Sequence, residues 1–373
     1  MSKPTNLVRL FLCTMFLLIS ALSAVWACCP APPSGKPVVN ADQTVIIVWD
    51  KDKEMQHFIR KASFKSDAED FGFIVPSPEE PKLSESGNDA FPYLKKVTEP
   101  EIITKQAPSS GVGCGCGAAP QSAGKSAEPK IVTNAVNVLQ EKELAGFKAV
   151  VLETTSSTAL IDWLKKNGYA YSPEVKAWAE PYIKKNWKFT ALKVAKDKKT
   201  GKAKKELATK ALRISFHTKR PLFPYREPDP SSFAKALGVE RRLLRIYFLA
   251  DARYQGKLGN GQSWSGNVAW AGKLSKSDTA SILKELNLPE KSGPAQWWLT
   301  EFEDNWEYKP APADVYFSQS SDQSNVRRDP IIQYVRVSYP TDVTAYAIAL
   351  VLFLPPLWRR IRRRKLIEKP NRP

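Results

Sequence analysis

Short apolar runs and alternating segments predict a chain built mainly from β-strands. Residues 44–49 form a β-branched run typical of a buried strand, and residues 55–64 alternate as its antiparallel partner would. Residues 71–75 predict a third strand that ends at Pro76, because proline cannot donate to a β-ladder. Further strands are predicted at residues 147–153, 189–195, 212–218, 245–249, 267–270 and 331–338.

Three short helices interrupt this pattern. Ser157 or Thr158 caps a helix that runs to Lys166, and Gly168 ends it. Pro173 begins a second helix that Pro181 interrupts, and residues 277–286 form the third. The Lys-rich residues 196–205 and the Gly/Asn-rich residues 256–267 are interpreted as hairpin turns. The pattern favours an α+β fold, mostly antiparallel β-sheet with a few short helices.

The N-terminus has the organisation of a secretory signal peptide over residues 1–27. Lys3 and Arg9 precede an apolar run over residues 10–25, and Ala27 precedes Cys28. Cleavage there leaves Cys28 as the first residue of the mature chain. Lipid attachment to Cys28 is an open alternative, although Trp26 is bulky where a lipoprotein signal carries a small residue.

The C-terminus predicts one transmembrane helix over residues 343–358, which contain no charge. Sixteen residues rise about 24 Å, and snorkelling arginines compensate for the remainder of a core about 30 Å thick. The basic tail, residues 359–373, then lies in the cytoplasm by the positive-inside rule. Its orienting cluster is Arg359, Arg360, Arg362, Arg363, Arg364 and Lys365. We therefore expect a single-pass protein of the cell membrane, whose domain at residues 28–341 is extracytoplasmic.

The formal net charge of +18 is consequently divided among the predicted regions. Two basic residues belong to the signal and eight follow residue 358, which leaves 46 basic and 36 acidic side chains in residues 28–341. A moderately basic exported domain points to an anionic envelope polymer or an envelope protein as partner, and not to nucleic acid.

Four cysteines remain after removal of the signal: Cys28, Cys29, Cys114 and Cys116. The last two lie in a Gly/Ala/Ser/Pro-rich loop at residues 105–130. Outside the cytoplasm an even number favours disulfides, and bridges between the two clusters avoid awkward local geometry. Soft thiolate binding of Cu(I) or Zn(II) is the alternative.

The sequence contains no catalytic motif, and it predicts neither a cofactor nor an enzyme. Residues 261–266 miss a serine-hydrolase elbow by one position. Asp67, Glu69 and Asp70 are weak candidates for a metal site, with a hydrogen-bonded turn as the competing interpretation. A late group of tryptophans is a candidate sugar-stacking site, against core packing: Trp264, Trp270, Trp297, Trp298 and Trp306.

An ordered set of segments resembles a known bacterial family. These segments are Asp67–Pro76, Ala159–Tyr169, Tyr182 with Trp187–Val194, Leu212–Phe216 and Pro221–Arg226. Together with Cys28 and Cys29 they resemble the exported domain of unknown function 2330 over roughly residues 28–340. The resemblance implies a signal peptide and often a C-terminal span, and it implies no catalytic residues. The prediction is a membrane-anchored envelope protein that binds or scaffolds, with an extracytoplasmic enzyme or thiol/metal-handling protein as alternative.

Overall fold

A computed structural model describes residues 29–31, 42–61, 72–106, 136–169, 173–194, 210–226, 241–289, 293–307, 311–335, 346–348 and 350–352. Most of these residues form one compact unit that ends at Arg328 and omits residues 100–119. Residues 100–119 and 329–373 form the second unit.

Two large sheets form the first unit. The seven-stranded sheet contains β2 (Asp42–Asp50), β3 (Met55–Lys61), β5 (Lys82–Gly87), β10 (Lys210–His217), β12 (Arg241–Ala250), β14 (Asn267–Lys273) and β15 (Trp298–Glu307), in the order β14-β15-β12-β2-β3-β10-β5. All its pairs are antiparallel except β12 with β2. The predicted partnership of the first two strands, β2 and β3, is therefore confirmed.

The five-stranded sheet contains β1 (Cys29–Ala31), β4 (Gly72–Ser77), β7 (Val136–Leu144), β8 (Phe147–Thr154) and β9 (Lys188–Val194), in the order β1-β4-β9-β8-β7. A smaller sheet places β16 (Val315–Gln319) between β11 (Leu222–Phe223) and β13 (Tyr254–Leu258). All pairs in these two sheets are antiparallel.

Four helices cover the outer faces of the large sheets. α2 (Ser157–Lys166) and α3 (Pro173–Ile183) pack on the five-stranded sheet through an apolar cluster that includes Leu160 and Trp178. α1 (Ala90–Val97) and α4 (Lys276–Glu285) pack on the seven-stranded sheet around Leu94 and Ile282. The largest core lies between the sheets, where alternate residues of each strand meet, among them Ile47, Phe73 and Phe248. The first unit is thus an α/β/β/α sandwich, and the α+β prediction is confirmed.

Two prolines lie inside elements that Pro76 was expected to end and Pro181 to interrupt. β4 includes Pro76, which pairs with Phe189 of β9. On its other side, β4 pairs with β1 only over Gly72–Ile74. Pro76 lies beyond that pairing, so no backbone N–H is needed there to donate to β1. α3 likewise continues through Pro181 to Ile183, so the proline lies in its last turn.

Two predicted hairpins are wrong. Strands β9 and β10 belong to different sheets, and so do β13 and β14. The Lys-rich residues 196–205, which lie outside the described ranges, therefore connect two sheets. The Gly/Asn-rich stretch does the same, because β13 pairs with β16 and β14 pairs with β15.

The second unit contains one pair of parallel strands, β6 (Ile102–Gln106) and β17 (Ile331–Val335). Its residues 346–348 and 350–352 are helical and exposed. In the part of the chain that the structure describes, no helix has both the length and the apolar character needed to cross a membrane.

Candidate functional site

A serine and a histidine face each other on neighbouring strands of the seven-stranded sheet. Ser215 of β10 lies directly opposite His57 of β3, and the Ser215 Oγ is 2.8 Å from the His57 Nδ1. Ile59, two residues from His57, packs in the helix-covered core, so the pair projects from the face that α1 and α4 cover. This is the arrangement of a nucleophile and its general base.

The surroundings of His57 keep its imidazole neutral. Burial lowers the pKa of His57 to about 4, and the positive charge of Arg213 contributes to the decrease. Asp50 acts in the opposite direction on this pKa. In the tautomer that carries its proton on Nε2, the neutral imidazole accepts a hydrogen bond from the Ser215 hydroxyl at Nδ1. Asp50 itself is engaged by Lys53, whose Nζ donates to one carboxylate oxygen at 2.6 Å and whose backbone N–H donates to the other.

Arg213 fixes the elements beside this pair. Its Nε donates to the Ser84 Oγ at 2.9 Å, and its guanidinium also donates to the carbonyl oxygens of Leu286 and Asn287. These carbonyls follow the C-terminus of α4, where a cation stabilises the helix dipole. The arginine thereby ties β10 and β5 to the end of α4, while burial lowers its own pKa.

A second polar cluster on the same face consists of two glutamates and two arginines. Glu301 is almost fully buried, and its Oε1 lies 2.8 Å from both the Arg245 Nε and the Arg328 Nη2. Glu303 Oε1 pairs with the same two arginines at 2.6 and 2.8 Å. Burial raises the pKa of Glu303, but hydrogen bonds from Arg328 and Arg245 outweigh it and leave the pKa lowered. The charges balance, so the cluster serves as a structural network.

Arg328 also connects the two places where the chain leaves the first unit. Its Nε donates to the carbonyl oxygen of Thr98 at 2.9 Å, directly after α1. Thr98 is one residue before the end of the first segment of this unit, and Arg328 ends the second. The glutamate network therefore holds both exit points together.

The predicted tryptophan group is placed mainly in the cores. Trp264, Trp270, Trp297 and Trp298 are only 3–8% exposed, and the side chain of Trp306 lies outside the described residues. The Trp264 Nε1 donates to the Asp304 Oδ2 at 3.0 Å, beside the Tyr225 hydroxyl at 2.6 Å from the same oxygen. Arg327 lies 4.4 Å above the ring of Trp270. Four of the five rings are therefore buried and do not form an exposed platform for a sugar.

The remaining predicted site residues are mostly outside the described ranges. These are Cys28, Cys114, Cys116, Asp67, Glu69, Asp70 and the basic cluster from Arg359 to Lys365, together with the signal segment 1–27. Cys29 is the first residue of β1, opposite Ile74 of β4. Within the described ranges, no three His, Cys, Asp or Glu side chains are grouped as a metal site would require.

The helical residues near the C-terminus are apolar and exposed. Tyr346, Ile348, Leu350, Val351 and Leu352 are 56–74% exposed. Apolar side chains on a helix are normally buried against protein or lipid, and a contiguous exposed group marks an interaction surface.

A family comparison places the chain in a bacterial family. Residues 23–318 match the model described as "Uncharacterized protein conserved in bacteria (DUF2330)". The chain belongs to the DUF2330 family. The match confirms the resemblance on which the sequence analysis drew, and it begins inside the predicted signal segment. No curated protein and no solved structure gives a significant match to this DUF2330 protein.

The Ser215–His57 pair in this DUF2330 chain was missed by the sequence analysis. The two residues are 158 positions apart, and no spacing motif joins them. Alternation along each strand indicates which face each residue occupies, but only the register between β3 and β10 places them opposite each other.

Proposed function

We propose that this protein is a membrane-anchored bacterial envelope protein whose sandwich unit is extracytoplasmic and acts as a binding or scaffolding module. The exposed apolar helical residues Tyr346, Ile348, Leu350, Val351 and Leu352 carry the proposal. They lie inside the uncharged segment 343–358, which is followed at once by the basic cluster 359–365. A bilayer buries such side chains, and basic residues beyond them remain on the cytoplasmic side.

Three features of the chain support this function. The signal-like segment at residues 1–27 overlaps the beginning of the family match at residue 23, which is consistent with export. The sandwich has two large sheets covered on both outer faces, which gives a rigid body on which loops can bind a partner. The excess of basic residues in positions 28–341 suits an anionic envelope polymer as that partner.

The anchor is tested with the full-length chain and a variant that ends at Thr341. Membranes from expressing cells are washed with alkaline carbonate, and the pellet and supernatant are compared. We expect the full-length chain in the pellet and the shortened chain in the supernatant. A full-length chain released by the wash would overturn the anchor.

Orientation and processing are measured on the same preparation. In intact spheroplasts, added protease should digest the sandwich and leave a C-terminal epitope tag protected. The intact mass of the extracted protein should correspond to loss of residues 1–27, with an added lipid mass if Cys28 is acylated. A digested tag in sealed spheroplasts would contradict the proposed direction.

A second candidate function is acyl transfer at Ser215. The observation that favours it is the 2.8 Å contact between the Ser215 Oγ and the Nδ1 of a neutral His57. In such a reaction the hydroxyl attacks an ester or amide carbonyl while the imidazole takes its proton. The test is covalent labelling of the purified full-length chain by a fluorophosphonate probe.

We expect labelling of the wild type, loss of the label in Ser215→Ala, and a strong decrease in His57→Gln. Ser84→Ala is the matched control, because Ser84 lies on the neighbouring strand and bonds Arg213. Equal labelling of the wild type and Ser215→Ala would exclude this activity. The carbonate wash measures the membrane anchor independently of this result.

A further inference from the structure

The parallel strands β6 and β17 form a ribbon that is exposed on both faces. Their register pairs Ile102 with Ile331 and Ile103 with Ile332. The large apolar side chains of the ribbon are 37–61% exposed: Ile102, Ile103, Ile331, Ile332, Tyr334 and Val335. Parallel strands are normally buried on both faces, and an isolated two-stranded ribbon is only marginally stable. The ribbon therefore requires further strands or another apolar surface.

In the described part of the chain, the edge of β6 that faces away from β17 carries a defined set of unpaired backbone groups. The N–H of Ile331 donates to the carbonyl of Glu101 at 2.8 Å, which directs the backbone groups of residues 101, 103 and 105 toward β17. The N–H and C=O groups of Ile102 and Thr104 consequently point away from β17. Among the described residues no strand pairs with this edge.

The sequence of β6 along this edge is complementary to an antiparallel second copy of itself. The sequence Glu101-Ile102-Ile103-Thr104-Lys105 is acidic at one end and basic at the other. If two such strands run antiparallel with Ile103 opposite Ile103, then Ile102 lies opposite Thr104 and Glu101 lies opposite Lys105. The outward backbone groups of Ile102 and Thr104 then bond each other, and two Glu–Lys pairs form on one face.

We propose that a second copy of this chain pairs with the free edge of β6 and completes a four-stranded sheet in the order β17-β6-β6-β17. A twofold axis passes between the two Ile103 residues, so both copies use the same surface, as most homodimers do. The opposite edge of the ribbon fits this role less well. Pro330, directly before β17, has no backbone N–H to donate at that edge. In addition, β17 contains no charged residues that could form ion pairs with a second, antiparallel copy of itself.

Cross-linking tests the predicted register in the full-length chain, solubilised in mild detergent. In the proposed dimer the two Ile103 Cα atoms are about 4.5 Å apart, which a disulfide can span. We expect Ile103→Cys to form a covalent dimer on mild oxidation, above the background of the wild type with its native cysteines. Gln333→Cys is the matched control on β17. Its two copies would be separated by three strand spacings, about 14 Å, and should not cross-link.

Charge exchange tests the pairing independently of cysteine chemistry. Glu101→Lys and Lys105→Glu should each weaken dimerisation about tenfold, because each variant replaces two attractive pairs by two repulsive ones. The double variant Glu101→Lys, Lys105→Glu restores both pairs and should recover the wild-type dimer. Sedimentation or size-exclusion coupled to light scattering measures the dissociation constant. Both residues are exposed, so the variants should fold normally.

Several outcomes would overturn the proposal. Cross-linking through Gln333→Cys instead of Ile103→Cys would place the contact on β17. A monomer in detergent, or single charge variants that dimerise like the wild type, would mean that lipid or another protein covers the ribbon. None of these results affects the membrane anchor, which the carbonate wash measures separately.

Discussion

At the scale of single residues, burial and pairing decide what each polar side chain does. Glu301 and Asp304 are three positions apart in β15, so their side chains project to opposite faces of the sheet. Glu301 meets two arginines on the helix-covered face, whereas Asp304 accepts from Tyr225 and Trp264 in the core between the sheets. Strand alternation predicts which face each residue occupies, but not the partners that come from distant segments.

The low pKa of His57 predicts a pH-dependent stability. The pKa of His57 is about 4 in the folded chain and about 6.5 in the unfolded chain, so between these pH values only the unfolded chain binds the proton. The contribution is fully present above pH 6.5 and is lost as the pH falls toward 4. The free energy of unfolding should decrease by up to about 3 kcal/mol over this window.

Urea denaturation at pH 7, 5.5 and 4 measures this decrease. His57→Gln should flatten the dependence between pH 6.5 and 4, which the wild type should retain. If His57→Gln and the wild type lose stability in parallel, the desolvated imidazole is not responsible.

At the scale of elements, local signals predicted several strands and helices well. α2 ends at Lys166 as predicted, and Gly168 after it has a φ of +69°. The predicted cap at Ser157 or Thr158 is wrong, because the side chain of Ser156 accepts from the Ala159 N–H and caps the helix. The predicted strand at residues 44–49 lies within β2. Local signals failed where the neighbouring strand decides whether a residue can lie in a strand. Pro76 lies in β4 because β1 does not extend far enough to pair with it. The strands and the helix that were not predicted are β1, β5, β6, β7, β11, β13, β15, β16 and α1.

The close approach of β5 to α4 predicts the effect of a small substitution. A Cβ atom at Gly87 would lie 2.5 Å from the carbonyl oxygen of Glu285, a backbone atom that cannot rotate away. Gly87→Ala should therefore destabilise the protein by about 1–3 kcal/mol through overpacking. The urea midpoint of unfolding is the measurement.

Gly261→Ala is the control for this substitution. Its Cβ would meet nothing within 4 Å, but its φ of +85° is costly for alanine, so we expect a loss of about 1 kcal/mol. A Gly87→Ala variant as stable as the wild type would show that α4 shifts without cost.

At the scale of the whole molecule, the excess of basic residues predicts salt-sensitive binding to an anionic envelope polymer. Residues 28–341 contain 46 basic and 36 acidic side chains. The full-length protein should be retained on immobilised lipoteichoic acid at about 50 mM salt and released by about 500 mM salt. The reason is that dissolved ions screen the attraction between the basic side chains and the polymer.

A variant with glutamine at the six basic positions 359–365 tests whether the tail is responsible. We expect its retention to match the wild type, because the binding is proposed to come from the basic excess of residues 28–341. Loss of retention in this variant would assign the binding to the tail. Absence of retention at low salt would remove the support for a polyanionic partner.

The sequence by itself determined the α+β class, nine of the seventeen described strands, the resemblance to DUF2330 and the division of charge between the ends and the middle. These properties depend on local periodicity and on composition, which each segment carries alone. Only the tertiary structure decided the two-sheet sandwich, the parallel contact of β12 with β2, the Ser215–His57 pair and the exposed ribbon of β6 and β17. Each of these depends on which distant strands become neighbours and in which register. That choice is made by burial of the whole core and by pairing of backbone groups, and no single segment contains it.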